Sequence, residues 1–414
     1  MGIFVKYPGF RWLWSGQLLS QLGNAVFYIL GLWEIQLKSP FLLSIAGLAI
    51  TVPAMLGLFG GVLVDRLDAR RVMLITDLMR GAAVLLGLFA LTIPGSLVWV
   101  VIVLLAINAL GVAFFGPAES VVVPHIVQEV DLTQANGLYS LTSQLSSAVG
   151  SALGGAAVAA IGVSVVFSLD MASFWISALA IWLMMRTVTR PGRQMDASTE
   201  RQPKTAFFTS FKEGLSAFGS LPVLSRLLPF IILINFAFMA AFVMLPAWVH
   251  IHLHGTALWY GIIDAAWALG VVVGSVLSGR FGRMPLKSSL TLAFLIQSLL
   301  LLAFGFVPWP AVSAGVLLVA GIFNGVGNAL SFTWMQRLIP VEMRGRVFGL
   351  IMTLFSLANP LGSLAAGLFW HVLPEVWAWV LGGVSGVLFC VFLWRVPGAL
   401  EDARPTPLTS TGMD

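Results

Sequence analysis

Runs of about twenty apolar residues recur along this chain, each closed by a short polar or basic stretch. Wound as a helix, a run of that length crosses the hydrocarbon core of a bilayer, about 30 Å thick. Membrane-barrel strands are only about ten residues long and alternate in polarity. These runs are longer and do not alternate, so helices are expected. Twelve spans are predicted, near 11–35, 41–64, 72–93, 96–117, 135–161, 163–186, 223–249, 256–279, 286–307, 310–333, 346–370 and 376–395. Only 9% of the residues are charged and 59% are apolar, against about 25% and 45–50% in soluble domains. So little charge does not cover a water-facing surface, and the lipid bilayer is the expected partner.

The charges orient the predicted spans. Of the 22 Lys and Arg, all but Lys38 and Arg80 fall on one face. By the positive-inside rule that face is cytoplasmic, which places both termini inside the cell membrane. The formal charge of +5 is spread over short loops. No basic stripe with interleaved aromatics is present, so nucleic acid is not an expected partner. Cys390 is the sole cysteine, which excludes an internal disulfide framework. No Walker-type phosphate loop occurs, and no cofactor is expected.

The stretch 187–220 is polar and carries several of the basic residues, with an amphipathic helix expected over 207–218. It divides the chain into segment 1–186 and segment 221–396, followed by a polar tail, 397–414. The two segments repeat each other. GGVLVDRLDARR from Gly60 aligns with GSVLSGRFGRMP from Gly274, Asn108 with Asn324, Pro124 with Pro340, and GSALGG from Gly150 with GSLAAG from Gly362. A duplicated six-helix unit builds two bundles about an axis along the membrane normal, with a solute site between them near the midplane.

These stretches resemble the major facilitator superfamily. Gly61, Asp65, Arg66, Arg70 and Arg71 match the signature that follows its second helix. FRWLWSGQLLSQLGN, FFGPAESVVVPHIVQEVDLTQANGLYS and RLIPVEMRGRVFGL resemble the exporter branch holding the enterobactin exporter and macrolide-efflux proteins. The resemblance implies an all-α fold of twelve transmembrane helices in two pseudo-symmetric six-helix bundles. It also implies a cytoplasmic gate. Asp65 would face the start of helix 11, and Arg66 or Arg70 would pair with a second acid, for which Glu119 is the candidate. SAVGSALGG, from Ser147, resembles the helix 5 signature of antiporters: Gly150, Gly154 and Gly155 match, whereas Ser151 stands in place of Pro. Small residues there let helix 5 pack closely.

Polar residues inside the spans supply the site candidates. A carboxylate at membrane depth costs about 2.5–3.5 kcal/mol on insertion scales, so it marks function by default. Asp264 lies mid-way along span 8 and Asp170 in span 6. In the superfamily helix 8 borders the cavity and helix 6 lies outside it, so Asp264 is the expected proton-coupling residue. Asp170, sharing a face with Ser173 and Ser177, is expected to be structural. Asp77 and Arg80, three apart, are placed to pair. Gln17, Gln21, Asn24 and Tyr28 form a polar stripe on span 1. The superfamily lines its cavity with helices 1, 4, 7 and 10, which adds Asn108, Asn235, Asn324 and Asn328 as substrate contacts. Except for Arg80, no cation lies deep, which disfavours phosphorylated solutes. HIHLH, from His250, places only His250 and His254 on one helical face, too few ligands for a metal. The expected activity is proton-coupled efflux of a small amphipathic compound (drug, macrolide or siderophore-like) by a monomer. The rivals are a nutrient importer, a lysophospholipid flippase, and a membrane sensor or enzyme. An enzyme is disfavoured because no nucleophile–base pair or metal cluster is assembled.

Overall fold

The computed structural model describes residues 2–57, 67–187, 222–281, 285–340, 343–370, 372–373 and 376–395. A short helical turn, Ile3–Lys6, leads into a series of long helices. In chain order they are α1 (Pro8–Lys38), α2 (Pro40–Met55), α3 (Ala69–Ala90), α4 (Leu97–Ile126), α5 (Glu129–Ala160) and α6 (Val163–Thr187). The second half contributes α7 (Pro222–Val243), α8 (Ala257–Phe281), α9 (Leu286–Phe304), α10 (Pro310–Leu338), α11 (Arg344–Phe369) and α12 (Trp377–Arg395). Ten of them are long and apolar enough to cross a membrane. The exceptions are α2, of which 16 residues are described, and α5, whose Ser, Thr, Gln and Asn residues lower its hydropathy. The residues Gly61, Asp65 and Arg66, the expected amphipathic helix and the tail 397–414 lie outside the described residues.

Local chemistry sets the helix ends. α1 stops where Ser39 is extended (φ −169°, ψ 129°) ahead of Pro40, because a residue before proline avoids the helical region. Asp68 caps α3, its carboxylate accepting the Arg70 N–H at 3.1 Å. Gly162, at φ +75°, makes the tight α5–α6 turn, a backbone region open mainly to glycine. The prediction of one unbroken span over 223–249 is corrected. α7 ends at Val243, and a three-residue turn, Leu245–Ala247, leads into a π-helical turn, Trp248–His252. Pro246 lacks the N–H that would continue the ladder. His254 follows in the left-handed region, φ 48°, so His250 and His254 are not on one regular helix. α4 and α10 run beyond their predicted ends, to Ile126 and Leu338. Apolar length marks where a helix leaves the lipid, not where its hydrogen bonding stops.

The helix pairs repeat. α1 packs on α5 and α6, α3 on α4 and α6, and α2 on α4. Six helices later α7 packs on α11 and α12, α9 on α10 and α12, and α8 on α10. The halves meet along two seams, α2 with α11 and α5 with α8, which are each other's counterparts under the same shift. Apolar side chains such as Leu86, Phe89, Val103 and Val276 stand exposed at 55–74%. A surface of this kind is at rest in lipid and is a liability in water.

The buried apolar residues fall into three clusters. One contains Ile3, Phe10, Met73, Phe115, Val123, Ile181 and Met184, all from the first half and all near the basic face. A second, with Leu227, Leu290, Trp334, Leu350 and Phe389, belongs to the second half at the same face. The third joins both halves at the opposite face, bringing Phe27, Trp33 and Phe167 together with Trp248, Tyr260 and Trp379. The molecule is therefore sealed at the face away from the basic loops and divided at the basic one.

Glycine makes the tightest helix pair. A Cβ on Gly274 would collide with the Ile322 carbonyl, and one on Gly325 with that of Val271. Both neighbours are backbone, which cannot turn aside. Gly274→Leu is expected to lower stability by about 1–3 kcal/mol, the usual range for overpacking. Gly279→Leu, in open space, should be nearly neutral. Thermal melts of the two purified variants check this.

At the basic face Lys6 Nζ lies 2.6 Å from Asp131 Oδ2, and the Tyr7 hydroxyl donates to the same oxygen at 2.7 Å. The Lys6 ammonium, then the Tyr7 hydroxyl, hold the Asp131 carboxyl below its usual range. Asp131 in turn raises Lys6. A depressed carboxyl stabilises above its unfolded value and loses that contribution as pH falls through its folded value. A raised lysine loses its contribution as pH rises through the folded value. A spin label on Gly2→Cys should therefore gain mobility at both ends of the pH range, and Asp131→Asn should give the mobile spectrum throughout.

Candidate functional site

The sequence candidates separate into two cavities and a buried network. The first cavity, of about 440 Å³, is lined by Gln21, Asn24, Tyr28, Asn108 and Asp264, together with Ser143, Ser147 and Ser151. Ser151, on α5, donates to Asp264 Oδ2, on α8, at 2.6 Å. This bond crosses from one half to the other. It forms because the two helices nearly touch: a Cβ on Gly155 would lie 2.6 Å from the Ala257 carbonyl, and one on Gly261 would meet the Ser151 carbonyl. On the other side of α5, Gly154 admits Ile29, with 2.8 Å to the Ile29 Cβ, and Gly150 lies against Ala25. Gly150, Ser151, Gly154 and Gly155 thus wedge α5 between α1 and α8.

The second cavity, of about 390 Å³, lies in the other half and is lined by Asn235, Asn324 and Asn328 among aromatic residues such as Phe238, Phe294, Trp334 and Phe355. Asn328 donates to Asn324 Oδ1 at 2.9 Å, and Asn324 to Gln297 Oε1 at 3.3 Å. Asn235 Nδ2 bonds back to the Ile231 carbonyl at 2.9 Å. Its side-chain oxygen stays available to a ligand. No Lys, Arg, Asp or Glu lines this cavity. Sequence reasoning passes over Gln297, Ser143 and Ser147. The signal for the serines was a four-residue spacing with Ser151 on α5. Gln297 gave none, because α9 carries no polar stripe.

Gln17 does not join the cavity. It is buried and donates to Ser177 Oγ, on α6, at 3.0 Å. Gln17 shares a helical face with the later three but lies a turn before Gln21, where Gly16 brings α1 against the Ser177 backbone of α6. Ser177 donates to Asp77 Oδ2 at 2.6 Å, and Arg80 Nη1 lies 3.3 Å from Asp77 Oδ1. Arg80 also donates to the Asn108 side-chain oxygen, and Asn108 to that of Asn24. A continuous polar chain therefore runs from Gln17 deep in the first half to Asn24 at the cavity wall.

Of the two arginines expected to pair with Glu119, Arg66 lies outside the described residues and Arg70 pairs within its own helix start. Arg70 Nε lies 3.3 Å from Asp68 Oδ1, and Arg71 Nε 3.9 Å from Asp68 Oδ2. The cap holds the Asp68 carboxylate beside both guanidinium groups. Glu119 has a buried oxygen, Oε1, without a hydrogen-bond partner. His250 packs edge-on against Trp33, with ring centroids 5.5 Å apart, and Trp33 stacks on Tyr260 at 6.3 Å. These rings form part of the seal between the halves.

The profile described as the Major Facilitator Superfamily matches residues 13–363. The chain belongs to that superfamily. It is a multi-pass membrane transporter. It is 27% identical to macrolide efflux protein A of Streptococcus pyogenes, over 87% of this chain and 89% of that protein. It is 25% identical to the enterobactin exporter EntS of Citrobacter koseri, over 100% of this chain and 97% of that protein. Among solved structures, a bacterial homologue of the iron transporter ferroportin in an inward-facing state superposes with a TM-score of 0.66 at 15% identity, covering 95% of this chain and 99% of that one. A bacterial homologue of the lysosomal transporter Spinster, also inward-facing, gives 0.63 at 16% identity, covering 97% and 99%.

The one-sided seal makes an accessibility prediction. In a Cys390→Ala background, Ser143→Cys and Ser147→Cys should react with a membrane-impermeant maleimide from the basic face. Tyr260→Cys, at 1% exposure, should react from neither. Labelling of right-side-out and inverted vesicles reads the difference.

Proposed function

We propose that this protein exports small amphipathic organic molecules, macrolide-like or siderophore-like, by alternating access driven by the proton gradient. The observation that carries this reading is the asymmetric packing: one apolar cluster ties the halves together at one face, and two separate clusters leave them parted at the other. Twelve crossings in two six-helix bundles, 1–186 and 221–396, joined by the linker 187–220, complete the proposed topology. The positive-inside rule, applied to the basic loops, supports a cytoplasmic side for both termini and for the open cavity. An exporter loads from that side.

The lining argues for the substrate class. Amides and aromatics in one cavity and, among the described residues, a single acid in the other suit a neutral or weakly cationic solute, which the similarity to macrolide and enterobactin exporters also favours. Asp264 is the proposed coupling residue. Its charge is tolerated while the cavity holds water, and is costly once the halves close over it. A proton or a cationic solute offsets that charge, so closure proceeds with one or the other bound. This requirement exchanges solute for protons. Ser151, donating to the carboxylate across the seam, reports its charge to the other half. The monomer holds the whole machinery.

Proton-driven accumulation of a radiolabelled macrolide in inverted vesicles tests the reading. Asp264→Asn should fold, bind, and lose uphill accumulation. Ser151→Ala should slow it by about tenfold, the value of one hydrogen bond to a charged group. Wild-type accumulation by the Asp264→Asn protein under an imposed gradient sinks the coupling assignment.

A further inference from the structure

A second carboxylate is buried in the first half with no bonded partner. Asp170, on α6, is 1% exposed, and neither of its carboxyl oxygens has a hydrogen-bond partner. Gly23 leaves it room: a Cβ there would lie 3.1 Å from Asp170 Oδ1. The carboxyl faces a void of about 10 Å³ shared with Arg80, Asn108 and Phe174, about the space of one water molecule.

The charges around it do not balance. The helices packed on α6 are α1 and α3, and the ionisable groups they bring are Asp77 and Arg80. Arg80 lies 3.3 Å from Asp77, and its guanidinium sits 4.3 Å over the Phe174 ring. Its stem is clamped as well, since a Cβ on Gly111 would lie 2.6 Å from Arg80 Cδ. One cation thus serves two buried acids, and it is already committed to Asp77. A buried carboxylate without a partner costs several kcal/mol, and the usual remedy is a proton.

Arg80 makes that proton matter to the cavity. Its other amino group donates to Asn108, which donates to Asn24, and both amides line the 440 Å³ cavity. With Asp170 neutral, Arg80 is shared between Asp77 and Asn108, as observed. With Asp170 charged, the guanidinium has a second anion across the void and is drawn from Asn108. The amide pair then loses its donor and turns.

We propose that Asp170 is a proton-binding site whose occupancy is read in the central cavity through Arg80 and Asn108. The proton comes from cavity water and returns to it. Asp170 is thus a second ionisable site beside Asp264, and the inference rests on the transport reading given above.

Infrared difference spectroscopy of the protein in nanodiscs, titrated with pH in light and heavy water, is the test, and it needs no transported solute. A protonated-carboxyl band that exchanges in heavy water, titrates, survives Asp264→Asn and disappears in Asp170→Asn is the expected result. Asn108→Leu should keep the band and change its titration midpoint. If Asp170→Asn does not fold, isotope-labelled aspartate in the Asp264→Asn background isolates the same band. The proposal is overturned if the carboxyl spectrum is unchanged by Asp170→Asn, or if the band keeps constant intensity at every pH at which the protein stays folded. Loss of uphill transport in Asp264→Asn is read separately, so either assignment fails without the other.

Discussion

The contact between α5 and α8 governs this molecule. Two helices from different halves approach until Gly155 and Gly261 leave no room for a side chain. In lipid there is no hydrophobic drive to hold helices together, so close packing and polar bonds do that work. A glycine surface is also smooth. Interlocked leucines resist rotation, whereas backbone sliding on backbone does not. The counterpart seam, α2 on α11, is built the same way, with Gly47 against Ser363 and Gly367 against Ser44. Both seams between the halves are therefore lined by small residues, and the larger apolar side chains are kept for the cluster at one end.

Polar groups inside such a fold are placed with care. Asp264 lies on one seam and bonds across it to Ser151. Asp77, Arg80 and Asp170 lie inside the first half, away from the two seams. The two sets meet at the cavity wall, where Asn24 and Asn108 end the buried chain within the cavity that Asp264 also lines. Charge is confined to places where its state bears on shape. Among the described residues the second half has no matching ionic network: Asn324 and Gln297 occupy the ground where Asn108 and Arg80 stand in the first. The two bundles share packing and differ in chemistry, one ionic and one amide and aromatic.

Much of this was legible in the chain. Apolar run length marked where helices cross, and loop charge marked which ends share a face. The repeat at Gly60 and Gly274 marked the duplication that reappears in the helix pairing. Asp264, Asn24, Tyr28 and Asn108 reached one cavity as their helices implied. Gln17 did not, because it lies a turn before the cavity residues, where Gly16 brings α1 against α6. That both oxygens of Asp170 lack hydrogen-bond partners was not legible, because nothing local reveals it. Arg70 pairs locally with Asp68, because the helix cap holds that carboxylate two residues away.

The sequence alone determined that this chain dissolves in lipid, folds as helices and repeats itself, because those properties follow from solvation and hydrogen bonding within short segments. Only the tertiary structure decided which end is sealed, which carboxylates are alone and which amides meet. Those outcomes depend on contacts between segments as much as three hundred residues apart, and no local pattern encodes them.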